Sequence, residues 1–124
     1  MAFDALERAY APYSRFRVGA AVQSSAGRAY PGFNIENASY PASLCAERVA
    51  MATAMAAGAE EFVAMVIATE ASEPAAPCGI CRQVMAELAP RLEIVSCTRD
   101  GGESWWPLSS LLPHPFTSQS LGRS

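Results

Sequence analysis

Charge is scarce in this chain. Of 124 residues only 17% are Asp, Glu, Lys or Arg, and the formal net charge is -3 with a pI near 5.1. The nine basic residues are scattered and form no stripe, which excludes the electrostatic footprint of a nucleic-acid binder. Long apolar runs are missing too. No apolar run approaches the roughly 18 residues that suggest a membrane span. Met1–Arg8 has neither the basic n-region nor the apolar h-region of a secretory signal. There is no internal repeat, no low-complexity tract and no linker that would divide the chain. These absences predict one soluble, cytoplasmic domain spanning 1–124, with 117–124 a frayed tail and neither nucleic acid nor membrane as partner. Hydrophobic residues make up 51%, enough for a core, and the low charge hints that other subunits cover part of the surface.

What is present starts with four cysteines, Cys45, Cys78, Cys81 and Cys97. Disulfides are rare in the cytoplasm, so closely spaced cysteines there point to metal or catalysis. Cys45 stands in Ser43-Leu44-Cys45-Ala46-Glu47-Arg48, a thiol beside two charges, and no residue from Val49 to Ala59 is charged. A helix apolar on all sides is a buried one. The reading is therefore a central rod with Ser43 as N-cap and Gly58 as its stop. Buried charges are costly unless paired or bound to a metal.

Pro77-Cys78-Gly79-Ile80-Cys81 places two more thiols three apart at a second helix start, on one face. The helix dipole and free N–H groups there favour negative sulfur. With the two helix starts side by side, three thiolates meet at one point. Zinc accepts such ligands, and three protein ligands with one open position define a catalytic site. Glu47 lies two residues past Cys45, nearly opposite on an ideal helix. Spacing alone does not bring it to the metal, although side chains at a helix tip lean back toward the N-terminus. Arg48, at i+3, lies over the Cys45 sulfur and offsets the negative charge of zinc with three thiolates.

The rest of the chain reads α-β-β-α-β-α-β-β. A helix is predicted over 2–11, ended by Pro12, and a strand over 16–24, with Gly19 marking a close backbone approach. Ser25–Arg28 is a hairpin turn, and 29–33 the returning strand. Residues 34–41 form a polar loop. The apolar run 62–69 is a strand buried on both faces. A helix over 78–88, a strand over 92–97, a turn at Asp100-Gly101-Gly102, an edge strand over 103–108 and a helical turn over 109–112 follow. This order predicts a three-layer α/β/α architecture, a mixed five-stranded sheet with helices on both faces. The first two strands pair antiparallel, and the third to fifth are expected parallel.

Cys-Ala-Glu-Arg at 45–48 followed by Pro-Cys-Gly-x-Cys at 77–81 resembles the zinc-dependent cytidine deaminases in their short, homotetrameric form, by the three-cysteine variant of the zinc-deaminase signature. Residues 11–21 (APYSRFRVGAA) are similar to that family's opening, 34–40 (NIENASY) to its nucleoside loop, 81–85 to the continuation of the second zinc motif, and 111–116 (LLPHPF) to its C-terminal substrate segment. The resemblance implies the cytidine-deaminase-like fold, Zn2+ held by Cys45, Cys78 and Cys81, and Glu47 as the catalytic proton carrier. It implies hydrolysis of cytidine and 2′-deoxycytidine to uridine and 2′-deoxyuridine with release of ammonia. Asn34 and Glu36 would bind the ribose 3′-hydroxyl, Phe16 would pack on the base, and Ala46 would offer its backbone to the pyrimidine. Tyr40 and Phe116 would reach a neighbouring subunit's site, so the active sites of a homotetramer would be shared. Arg48 is the implied tuner behind the thiolates.

Other readings stand beside this one. The chain's one histidine, His114, is far from the first motif, and position 45 is cysteine, which disfavours the histidine-ligated RNA-editing and tRNA deaminases. A deaminase acting on an antibiotic or modified aminopyrimidine nucleoside is the nearest alternative. A non-catalytic zinc-stabilised interaction module is the rival from another class, and it would recruit Cys97 as a fourth ligand. Cys97 otherwise reads as a small core residue. Arg82 is left between pairing with an acid and contacting another subunit.

Overall fold

The computed structural model describes residues 1–122. The apolar run Phe62–Thr69 is strand β3, the middle of a five-stranded sheet. Its neighbours are β1 (Val18–Ser24) and β4 (Glu93–Thr98), and the edges are β2 (Ala29–Phe33) and β5 (Glu103–Pro107). The order is β2-β1-β3-β4-β5. Pro31 fits because β2 is an edge strand, where a missing N–H costs no ladder bond.

Within the sheet β3 and β4 pair in parallel, while β5 runs antiparallel to β4. The expected parallel pairing therefore fails at β5. The physical reason is the link. Asp100-Gly101-Gly102 turns tightly, with Gly101 at φ +93°. The Thr98 hydroxyl accepts the Gly102 N–H at 3.0 Å and bonds the Asp100 carboxylate. So short a connection makes a hairpin, whereas parallel strands need a long crossover.

Helix α1 (Ala2–Leu6) is shorter than expected. Its continuation is claimed by tertiary pairing. The Tyr10 N–H donates to the Asn34 carbonyl at 2.9 Å, and the Tyr10 carbonyl accepts the Glu36 N–H at 2.8 Å. Ala2 and Leu6 pack on Ala21 and Ala68 to cover one sheet face. Gly19 permits this, since a Cβ there would lie 1.9 Å from the Ala2 carbonyl oxygen.

The opposite face carries α2 (Ala46–Ala56) and α3 (Gly79–Leu88). Met51 and Met85 join Val22, Met65, Ile67 and Ile94 in the main core. Helix α2 is not buried all round. Ala46, Ala50, Met51 and Ala54 point inward, whereas Ala52, Thr53 and Ala56 are exposed and Met55 is 49% exposed. Its N-cap is Cys45, not Ser43. The Ser43 hydroxyl instead accepts the Asn37 N–H at 3.0 Å. Gly58, at φ +89°, follows the helix end as expected. Helix α4 (Leu108–Leu111) and a 3-10 turn at Ser118–Leu121 complete the described chain, so part of the tail expected to fray has local structure, and 123–124 lie outside the described residues. Among the described residues no helix is long and apolar enough to cross a membrane.

Candidate active site

The two helix starts meet beside the C-terminal end of β3. Cys45 and Cys78 are the N-caps of α2 and α3, both with extended backbone, and Cys81 lies in the first turn of α3. The Cys45 and Cys78 sulfurs are 3.6 Å apart, far beyond the about 2.05 Å of a disulfide. All three sulfurs lie within 4.8 Å of one another. Sulfurs about 2.3 Å from a tetrahedral zinc sit about 3.8 Å from each other, so this donor set fits zinc in both chemistry and spacing. Cys97 is elsewhere, on β4 in register with Ala68 and Glu103. His114 is exposed.

Electrostatics at the cluster are strongly coupled. Contact with Cys81, and then Arg48, pulls the Cys45 thiol down to about 5. Cys81 is pushed upward by the same contact, by burial and by Glu47. The guanidinium of Arg48 thus favours the thiolate form of Cys45. Arg48 Nη2 lies 3.6 Å from that sulfur and 3.3 Å from the Ser43 carbonyl. The i+3 spacing predicted this placement. Arg48 Nε is buried with no hydrogen-bond partner among the described residues. Glu47 is 5% exposed, and burial, followed by the charge on Cys45, raises its carboxyl to about 7.

A cavity of about 320 Å3 opens next to the cluster, at the small end of the about 300–1,000 Å3 typical of ligand sites. Cys45, Ala46, Glu47 and Cys78 form one wall, and Phe16, Asn34 and Glu36 another. Ile67 and Thr69, at the C-terminal end of β3, also line it. Cys81 is fully buried. Tyr40 and Phe116 are not in this wall. Tyr40 is 72% exposed and meets Tyr13 edge-on at 6.2 Å, and Phe116 is 58% exposed.

The polar wall is held by contacts that span the chain. Asn34 Nδ2 donates to the Phe16 carbonyl at 2.8 Å, and its Oδ1 accepts the Val18 N–H at 2.9 Å. Glu36 Oε1 accepts the N–H groups of Tyr13 and Ser14 at 2.9 and 3.1 Å, and Oε2 accepts the Ser14 hydroxyl. Ser14 Oγ in turn accepts the Phe16 N–H at 3.0 Å. Between them Arg15 takes the left-handed φ of +58°, which a non-glycine residue adopts only with local support. Glu36 thus anchors the turn that presents Phe16. Sequence reasoning missed Ser14, and with 22 residues separating it from Glu36 no local pattern marks the pair.

A pH dependence follows. The Ser14 hydroxyl, then the Ser14 and Tyr13 N–H groups, hold Glu36 below its ordinary 4.5. A lowered folded-state pKa means the anchoring is fully present above the unfolded value and is lost as pH falls through the lower one. Amide exchange at Tyr13 and Ser14 should therefore quicken as pH drops below 4.5, after correction for intrinsic rates. Glu36→Gln should flatten that dependence, and a parent-like profile in the variant would rule out this anchor.

Comparison with known proteins places the chain in a family. The family model for the cytidine and deoxycytidylate deaminase zinc-binding region matches residues 1–97. A cytidine deaminase of Halalkalibacterium halodurans is 43% identical over 121 residues, covering 97% of this chain and 92% of its own length. Another, from Sporosarcina psychrophila, is 40% identical over 118 residues, covering 94% and 87%. The crystal structure of a cytidine deaminase from Burkholderia pseudomallei superimposes with a TM-score of 0.89 at 47% identity, covering 93% of each chain.

Proposed function

This chain belongs to the cytidine and deoxycytidylate deaminase family, and from that premise we propose that it converts cytidine and 2′-deoxycytidine to uridine and 2′-deoxyuridine with release of ammonia. It is a zinc-dependent hydrolase by that membership. The observation that carries the reading is Glu47, an acid buried in the cavity wall two residues from Cys45. A purely structural metal site has no use for such a group.

Cys45, Cys78 and Cys81 would hold the zinc. When bound, it supplies the Lewis acidity that makes water a nucleophile near neutral pH. Glu47 takes a proton from the attacking water and delivers it to the pyrimidine N3. It then carries the remaining hydroxyl proton to the departing 4-amino nitrogen, which leaves as ammonia. Its raised carboxyl, about 7, suits both directions of transfer at neutral pH.

Substrate binding is assigned to the second wall. Phe16 packs on the base. Ala46, first residue of α2, lines the cavity and has a backbone N–H that no helix turn satisfies, which serves as a donor to the pyrimidine. The Asn34 amide spends one of its two N–H groups on Phe16, leaving one for the ribose 3′-hydroxyl, and Glu36 accepts from the same hydroxyl. The fixed charge of Glu36 favours a nucleoside over a nucleotide.

The chain acts as a single deaminase domain over 1–124, in the cytoplasm, as a homotetramer with shared sites. The exposed apolar face of α2 supports subunit contact, as do Tyr40 and Phe116, which stand exposed outside their own cavity. The test is loss of cytidine absorbance with and without a zinc chelator. We expect turnover that stops on chelation and returns with added zinc. A zinc-loaded protein with no turnover would favour the interaction module.

A further inference from the structure

Two polar side chains at the start of α3 take no part in the reaction above, Arg82 and Gln83. Arg82 follows Cys81 directly. Its Nε donates to the Pro77 carbonyl at 2.8 Å and its Nη1 to the Leu111 carbonyl at 2.9 Å. Pro77 precedes the ligand Cys78, and Leu111 closes α4. Carbonyls in the last turn of a helix have no partner within it, so the guanidinium satisfies one while bracing the cysteine loop. Arginine is suited to this because its donors are fixed in one plane. Holding one carbonyl sets the position of the other.

Gln83 makes a two-point contact with Phe116. Its Nε2 donates to the Phe116 carbonyl at 2.7 Å, and its Oε1 accepts the Phe116 N–H at 3.3 Å. The amide thereby acts as a backbone partner for a segment that lacks one. Phe116 is 33 residues away in sequence, and its ring remains exposed.

We propose that Arg82 and Gln83 are positioning residues that join the cysteine loop to the C-terminal segment, so that zinc retention and the placement of Phe116 depend on the same helix turn. Their duties differ. Arg82 braces both the loop and α4, whereas Gln83 holds the Phe116 backbone alone. The assignment rests on zinc at the cysteine cluster. Failure of that premise would show as no zinc in the parent, which is distinct from any effect of the variants.

The difference in duties sets the test. Zinc release to a chromogenic chelator and amide hydrogen exchange are measured on the full chain, with exchange in β3 confirming the fold of each variant. Arg82→Gln should release zinc about 10-fold faster or more, the scale seen when the support of a metal ligand is removed, and should raise exchange across 111–117. Arg82→Lys keeps the charge but loses the fork, and should fall on the same side. Gln83→Ala should raise exchange at Phe116 while its zinc release stays within about twofold of the parent, well short of that same scale. With zinc saturating, Gln83→Ala should raise KM for cytidine at unchanged kcat. Parent-like release in both Arg82 variants would overturn the proposal, as would a Gln83→Ala variant that loses zinc as fast as Arg82→Gln. So would one that loses kcat at unchanged KM. If Arg82→Gln does not fold, Arg82→Lys decides its arm.

Discussion

Replacing Glu47 by glutamine should leave a folded, zinc-loaded protein that deaminates cytidine about 100- to 10,000-fold more slowly, the range that a positioned acid–base group contributes. Glutamine has nearly the same shape and fills the same buried place in the cavity wall. It cannot take a proton from water or pass one to N3 or to the leaving amine. The expectation for stability points the other way. Burial is the leading reason the Glu47 carboxyl is raised to about 7, so the fold works against its charged form. A neutral amide removes that opposition, and Tm should stay level or rise. The check combines kcat for cytidine, zinc content per chain and thermal melting. Parent-like kcat would remove Glu47 from the mechanism. Lost zinc would instead make it part of the metal's support.

Gly32→Ala should be the most damaging single change away from the cluster. Gly32 lies on edge strand β2, beneath the first turn of α2. A Cβ there would stand 2.3 Å from the Ala50 nitrogen and 2.4 Å from the Ala46 oxygen. Those two atoms are four residues apart, the pair an α-helix joins by a hydrogen bond. Real Cβ contacts do not come so close, and both atoms are backbone, so no side chain can swing aside. The helix must lift or the strand must bow. Overpacking a well-filled core costs about 1–3 kcal/mol and sometimes more, and this case belongs at the upper end, a fall in Tm of about 10 °C. The functional loss should exceed the loss of stability. Lifting α2 carries Cys45, Ala46 and Glu47 away from Cys78, and a displacement near 1 Å at a reacting group can cost about 100-fold. Melting curves, zinc content and kcat/KM on the folded fraction would show it. Parent-like melting would mean that α2 and β2 are not held this close.

Much of the site was legible because its signals are local. The spacing of Cys78 and Cys81 required only one helix turn, and Arg48 met the Cys45 sulfur because i and i+3 share a face. The run at 62–69 became a strand with the expected bounds because a short continuous apolar run that includes β-branched residues favours a strand. Gly19 marked a close approach because a glycine inside a strand pattern otherwise weakens it. Other local readings failed where a distant partner outbid them. The first helix stopped early because Tyr10 pairs with Asn34 and Glu36. Ser43 lost the cap to Cys45 because Asn37 uses its hydroxyl. The last strand ran antiparallel because the turn before it was too short for a crossover.

The sequence by itself determined the ligand types, the order of the elements and the zinc chemistry they allow, since these follow from residue identity and from periods of a few residues. Only the tertiary structure decided that three sulfurs converge, that Glu47 is buried in the cavity wall, and that Ser14 holds Glu36. The contacts of Arg82 with Leu111 and of Gln83 with Phe116, and the open outer face of α2, belong with them. Each of these depends on how one element packs against another far along the chain. A contact across 22 or 33 residues leaves no trace in local spacing, and a helix that is apolar throughout does not say which face its own core will take.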